Sequence, residues 1–231
     1  MNTNMNRLHR TVVTVAAAVL LAGCATSPGY KQAEKAGSNV DQFRTEVGTT
    51  SQAVGGSITA LDQVLQNADS NPHKAFTSLS KAVGSLDDAA AKFKKRADDM
   101  REQGAAYFKQ WDQQLGMLKN PEIRQLAVER RTQLQESFGR VSDLTQKARE
   151  SLLPFVSDLH DVRTLVGSEL TSSGITAAKD IIKKTEGEGA AAKSTFAELT
   201  GELNAVAAKL TPGQPAPQTN QASGKGVGVM P

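Results

Sequence analysis

One cysteine, Cys24, stands in a chain of 231 residues, so neither a disulfide framework nor a cysteine-rich metal site can form. Aromatic side chains are scarce, at 4% (seven Phe, two Tyr and one Trp). That scarcity argues against a β-sandwich or barrel, whose strands draw on aromatic and β-branched residues. No apolar run reaches the ~20 residues of a membrane-spanning helix, and no segment shows the period of two expected of a strand. Charge of one sign is also missing. Against 24 Asp and Glu there are 27 Lys and Arg, a formal charge of +3. It falls to +1 once Arg7 and Arg10 are taken away with a leader, which is too weak a balance to imply a nucleic-acid partner. What is present is 39% hydrophobic residues, enough to exclude a wholly disordered chain, and a length that suits one domain or two small ones.

The N-terminus reads as an address. Residues 1–10 carry Arg7, His9 and Arg10 and no acid, residues 11–20 are apolar (TVVTVAAAVL), and Leu21, Ala22, Gly23 and Cys24 follow. A basic stretch, about ten apolar residues and a small-residue cleavage site make a secretory signal. Leu-Ala-Gly-Cys resembles the bacterial lipobox, and that resemblance implies cleavage before Cys24 and acylation of its sulfur and its new amino group. The expected parts are a lipoprotein signal peptide over 1–23 and a lipid-anchored tether over 24–37. Each buried methylene of the acyl chains contributes roughly 0.8 kcal/mol, so several chains hold firmly. Ala25 stands where inner-membrane lipoproteins of enteric bacteria often carry Asp, which favours the periplasmic face of the outer membrane.

The remainder reads as helix. From Phe76 the apolar residues step by three and four through Leu79, Val83, Leu86, Ala90, Phe93, Ala97 and Met100. The stripe continues through Gly104, Tyr107 and Trp111, slips at Gln114, and ends at Leu115 and Leu118. A second stripe runs Leu134, Phe138, Val141, Thr145, Ala148, Leu152, Phe155, Leu159, Val162, Val166. A third runs Ile175, Ala178, Ile182, Thr185, Gly189, Ala192, Phe196, Leu199, Leu203, Val206, Leu210. Such spacing puts each set on one face of a helix. An earlier run, Val40, Phe43, Val47, Val54, Leu61 and Val64, is diluted by Thr50 and Ser57, and Gly48, Gly55 and Gly56 weaken it further. It is expected to be the least stable helix or to break near Gly55-Gly56. Pro72 and Pro121 each follow an Asn and mark boundaries, Thr171-Ser172-Ser173-Gly174 is a cap and turn, and Pro154 predicts a kink without a break. The expected fold is all-α without a sheet: a long antiparallel bundle or coiled coil of about four helices over 38–210, at about 38–69, 72–118, 122–170 and 174–210. Residues 211–231 hold four prolines and no apolar period and are expected to be a disordered Pro/Gly-rich tail. The last three residues, Val229, Met230 and Pro231, lack the terminal Lys of lipoproteins joined to peptidoglycan, so that linkage is not expected.

Tyr107-Phe108-Lys109-Gln110-Trp111-Asp112, then Leu115 and Asn120, then Arg130-Arg131 leading into Lys147-Ala148 and Leu152-Leu153-Pro154-Phe155, form a recognisable run. It resembles a family of uncharacterised Gram-negative envelope lipoproteins, the domain of unknown function 2959. The resemblance implies a helical, membrane-anchored envelope protein and supplies no activity and no catalytic residue.

Chemistry-bearing patterns are few. Residues 187–194 (GEGAAAKS) approach a phosphate-binding loop, but Ala192 replaces the second glycine and no strand precedes it; a helix with small residues at a close approach is expected, and no nucleotide. His9, His73 and His160 have no metal-ligand spacing and read as solvated side chains, so no metal, no cofactor and no catalytic residue are assigned. The basic cluster Lys92, Lys94, Lys95, Arg96 and the pair Arg130-Arg131 are interspersed with acids and read as solvated helix faces. Tyr107, Phe108 and Trp111 form the one dense aromatic patch. Tyr107 and Trp111 are expected in the core with Phe108 flanking them, and the patch is the candidate contact for a protein partner or for self-association. The function expected is that of a non-enzymatic, membrane-anchored periplasmic scaffold or spacer. The alternative is an accessory binding subunit of an envelope transport or cell-wall complex.

Overall fold

A computed structural model of the chain describes residues 28–210 and contains five helices there: α1 Pro28–Gln66, α2 Pro72–Met117, α3 Pro121–Ser168, α4 Ser172–Ala177 and α5 Lys179–Leu210. No strand occurs among the described residues. The signal over 1–23, Cys24 and the tail over 211–231 lie outside them. Side-chain caps set the starts. The Asn71 carboxamide oxygen accepts from the Lys74 N–H with Pro72 at the first helical position, and Asn120 accepts from Glu122 and Ile123 ahead of α3, which opens at Pro121. These pairings satisfy N–H groups that have no partner inside the helix, and Pro gives up none that the first turn needs. The Thr171 hydroxyl caps α4 by accepting from Gly174 N–H at 3.1 Å.

The helices pack in a ring, α1 on α2, α2 on α3, α3 on α5 and α5 back on α1, with the single turn of α4 leading into α5 at Ala178. Short turns at 67–71, 118–120 and 169–171 make sequential helices antiparallel neighbours. The turns 67–71 and 169–171 share one end, where the Ser172 hydroxyl donates to Asp69. The start of α1, the turn 118–120 and the end of α5 share the other. At 48 residues, α3 is about 70 Å long at 1.5 Å per residue. Each long helix contributes one fully buried phenylalanine, Phe43, Phe93, Phe155 and Phe196.

Three expectations need correction. The first helix starts at Pro28 rather than near 38, so ten residues assigned to a tether are helical; Ala33 and Ala36 extend the apolar face and Pro28 opens the helix. Of the two outcomes expected for the first helix, the break at Gly55-Gly56 does not occur: α1 is continuous to Gln66, packed on α2 and α5 along its length, which outweighs the glycine propensity. Several stripe positions shift by one residue: Ala75, Ala89 and Ser137 are buried, whereas Phe76, Ala90 and Phe138 are only partly so. Pro154 leaves α3 unbroken, and all eleven residues of the last stripe are buried.

Thr50 and Ser57, which dilute the first stripe, are fully buried where α1 meets α2. Their hydroxyls donate back to Glu46 O and Ala53 O, and each lies 3.4 Å from a carbonyl of α2, Ala89 O and Ala82 O. Small side chains that satisfy themselves let the two helices approach closely. Ser57→Leu is therefore expected to cost about 1–3 kcal/mol by overpacking, while Ser57→Ala stays close to wild type. Urea unfolding followed by circular dichroism measures both.

Candidate functional site

The end of the bundle that holds the start of α1 is uneven. On α5, Lys209 Nζ donates to Ser137 Oγ at 2.5 Å, and Glu202 pairs with Arg140, so the end of α5 lies beside residues 134–140 of α3. The α3 residues before Leu134 run past Leu210 by roughly 20 Å at 1.5 Å per residue. They pack on the last turns of α2 and form a two-helix hairpin. On the α1 side, Gln32 shares an open pocket of about 270 Å³ with Tyr107, Gln110, Trp111 and Gln114. The start of α1, one turn earlier than Gln32, therefore lies near the hairpin's tip.

Polar and aromatic contacts fasten this hairpin. Arg131 holds Asp112 across the two helices through Nε (2.6 Å) and a terminal nitrogen (2.8 Å), and its guanidinium carbon sits 5.6 Å from the centre of the Phe108 ring. The terminal nitrogen makes a charge-assisted hydrogen bond and Nε adds a close ionic contact, which together tie the two helices at this level. Arg124 folds back so that its guanidinium donates to Leu118 O and caps the end of α2. Below them, Phe108 meets Tyr107 and Phe138 edge-on at 5.4 and 5.3 Å, and Tyr107 meets Trp111 at 5.6 Å.

The aromatic patch is thus assembled, with the roles of its members exchanged. Phe108 is the core residue, 8% exposed, while Tyr107 and Trp111 are half-buried and keep an open side. A 3-4 stripe on a helix with neighbours on both flanks is wider than one line of residues, and the approach of α3 through Phe138 decides which edge turns inward. Gly104 makes room for that ring, which would lie 3.1 Å from a Cβ placed there. Phe108 is consequently no surface contact; Tyr107 and Trp111 retain that capacity.

Burial pushes the Tyr107 phenol above its usual pKa, with Arg130 acting in the opposite direction. A group raised on folding contributes stability below its unfolded pKa and loses it as pH rises through the folded one. Spectrophotometric titration of Tyr107 in a Tyr30→Phe chain is expected to place its ionisation above that of a free tyrosine, with helicity weakening over the same alkaline range. An ordinary midpoint would show that the ring is solvated.

Beyond the fastened region the tip is apolar and bare. Met117 is 76% exposed, Leu126 62% and Ile123 53%, with Lys119, Glu122 and Arg124 exposed among them. The sequence carries these residues openly, but it is the end of α5 well short of them that leaves them exposed.

Elsewhere the candidates resolve into packing. Residues 187–194 are helical throughout, inside α5. His160, expected to be solvated, has Nε2 at 2.9 Å from Asp87 Oδ1 and links α3 to α2. Arg149 donates to Asp98 and to Lys94 O, which lowers the Asp98 pKa chiefly through the hydrogen bond. Lys184 bridges Asp158 on α3 and Glu188, which raises its own pKa. Among the described residues no helix is long and apolar enough to cross a membrane, and no group of three His, Cys, Asp or Glu could hold a metal ion.

The class defined by these features is an elongated, all-helical bundle with a projecting hairpin at the end where its first helix begins. The chain belongs to a family of proteins of unknown function (DUF2959), whose model matches residues 25–189. That match takes in all of α1, despite its glycines, and ends inside α5. No curated protein and no solved structure matches the chain.

Proposed function

We propose that the chain is a lipid-anchored helical scaffold or spacer of the bacterial cell envelope, held through Cys24 on the periplasmic face of the outer membrane, and that it works without catalysis. The observation that carries this reading is length. Helices α2 and α3 run 46 and 48 residues without interruption, which gives reach and lateral contact surface. The lipobox-like Leu21-Ala22-Gly23-Cys24 supports the anchor, four residues before the first helical residue. A second reading, an accessory binding subunit of a transport or cell-wall complex, is favoured by the open pocket between Gln32, Tyr107 and Trp111. Crosslinking in intact cells on an epitope-tagged chain, with mass spectrometry of what is trapped, separates the two. Crosslinks within the chain or between its copies are expected for a spacer. A specific heterologous envelope complex, lost on Trp111→Ala while helicity is kept, would replace that reading with the accessory one.

A further inference from the structure

We infer that the tip of the α2–α3 hairpin inserts into the surface of the phospholipid leaflet from which the chain is suspended, giving the bundle a second, non-covalent membrane contact. The inference rests on the proposed anchor at Cys24 for its geometry and on the tip itself for its chemistry. Pro28 opens α1 four residues after Cys24, and four extended residues span roughly 14 Å at most. The base of α1 is therefore held close to the leaflet. Gln32 lies beside Trp111 and Gln114, so the turn 118–120 is at the same end and extends at least as far as the start of α1.

What the tip presents suits an interface of headgroups and acyl chains. Met117, Ile123 and Leu126 stand out on its surface, uncovered among the described residues, and Lys119 and Arg124 flank them against a single acid, Glu122. Further back along the same two helices the exposed Lys109 and Arg130 are balanced by the exposed Asp112 and Glu129, so the excess of positive charge is confined to the tip. Apolar side chains enter the headgroup and acyl boundary while neighbouring cations meet anionic lipid, and long basic side chains reach outward to do so. A protein partner or a second copy of the chain is the poorer occupant. Met117, Ile123 and Leu126 make a small apolar patch, whereas a stable protein interface buries roughly 800 Å² on each partner. The Arg131–Asp112 pair and the Arg124 cap hold the two helix ends together, so the tip arrives at the membrane already ordered.

The test uses the full mature chain, purified from membranes and reconstituted into vesicles of phosphatidylethanolamine and phosphatidylglycerol. Trp111→Phe removes the single tryptophan. Ile123→Trp, or Met117→Trp as an independent copy, then places one reporter at the tip, and Lys81→Trp places a reference near the opposite end. Phospholipids brominated on their acyl chains quench only an indole within the leaflet. The expected result is blue-shifted emission that loses most of its intensity for the tip reporters and stays unchanged for the reference. Where Trp111→Phe unfolds the chain, by circular dichroism, the tip reporter is read as the increment over the native Trp111 signal. Tip emission as insensitive to bromine as the reference overturns the inference. So does a blue shift without quenching, which would mean cover by protein. The mass of the N-terminal peptide reports Cys24 separately. An acylated Cys24 with an unquenched tip leaves the anchor standing and removes the tip contact. An unacylated Cys24 with a quenched tip removes the anchor and leaves the tip as a membrane contact in its own right.

Discussion

Phe93→Ala is expected to cost about 3–5 kcal/mol, the range for emptying a fully buried phenylalanine site, and to lower the melting temperature by roughly 10 °C in a domain of this size. The Phe93 ring is sandwiched between two helices other than its own, stacked on Phe43 at 5.7 Å and edge-on to Phe196 at 5.1 Å. Its loss removes the middle member of an aromatic row that ties α1, α2 and α5 together at one level. The cavity has little means of closing, because its walls are rings on long helices held in place above and below by further layers such as Val47, Leu86 and Leu199. Phe93→Leu keeps most of the volume and should cost less. Thermal unfolding by circular dichroism or calorimetry compares the two. A loss below 1 kcal/mol for Phe93→Ala would mean that the three helices do not meet at this ring.

Gly189→Val is expected to destabilise the bundle although it replaces a poor helix former with a better one. A Cβ at Gly189 would lie 2.7 Å from the Phe155 ring and 2.8 Å from Ile58, closer than real Cβ contacts come. Phe155 is fully buried and cannot swing away. Glycine here lets α5 approach α3 and α1 together, and overpacking at such a point costs about 1–3 kcal/mol or more. Two residues earlier the same substitution class should act in reverse. Gly187 is exposed and a Cβ there meets nothing within 4 Å, so Gly187→Ala is expected to add up to about 1 kcal/mol of helix propensity. Urea midpoints of the two variants should move in opposite directions; a shared direction would show that helix propensity, and not the approach of α5, governs this stretch.

The contrast between these glycines also shows how far a single sequence carries. Periodicity places Gly189 on the buried face with Ala192 and Phe196 and leaves Gly187 off it, and the last stripe is right at every residue because α5 is flanked by α1 and α3 along its length. The apolar period is equally clear in α2, yet it misassigns Phe76, Ala90 and Tyr107 by one position. A helix face is about two residues wide, and which of two adjacent candidates turns inward depends on where the neighbouring helices sit. Thr50 and Ser57 look like weak points in a heptad and prove to be close-approach residues, since a hydroxyl bonded to its own helix is small and self-satisfied. The start of α1 is hard to read from composition: apart from Pro28 and Tyr30, the apolar side chains of residues 28–38 are Ala33 and Ala36 alone, too few and too small to make a stripe.

The hairpin tip is the clearest case of information that a sequence does not carry. Leu115 and Leu118 end the α2 stripe after a slip at Gln114, and nothing in their spacing records that α5 stops short of them. The bareness of Met117, Ile123 and Leu126 is a property of unequal helix lengths around the ring, visible only once the four neighbours are in place. Tyr107 and Trp111 owe their half-open state to the same inequality.

Because Pro28 and Leu210 leave the bundle at one end while the turns 67–71 and 169–171 lie at the other, its response to force depends on direction. Tension between Pro28 and the distant turns drags α1 lengthwise against α2 and α5, and every side-chain layer along it resists in parallel. Tension between Pro28 and Leu210 separates α1 from α5 at their shared end and breaks the layers in succession, each needing little force. The molecule is in this sense a strut along its axis and a clasp at its base.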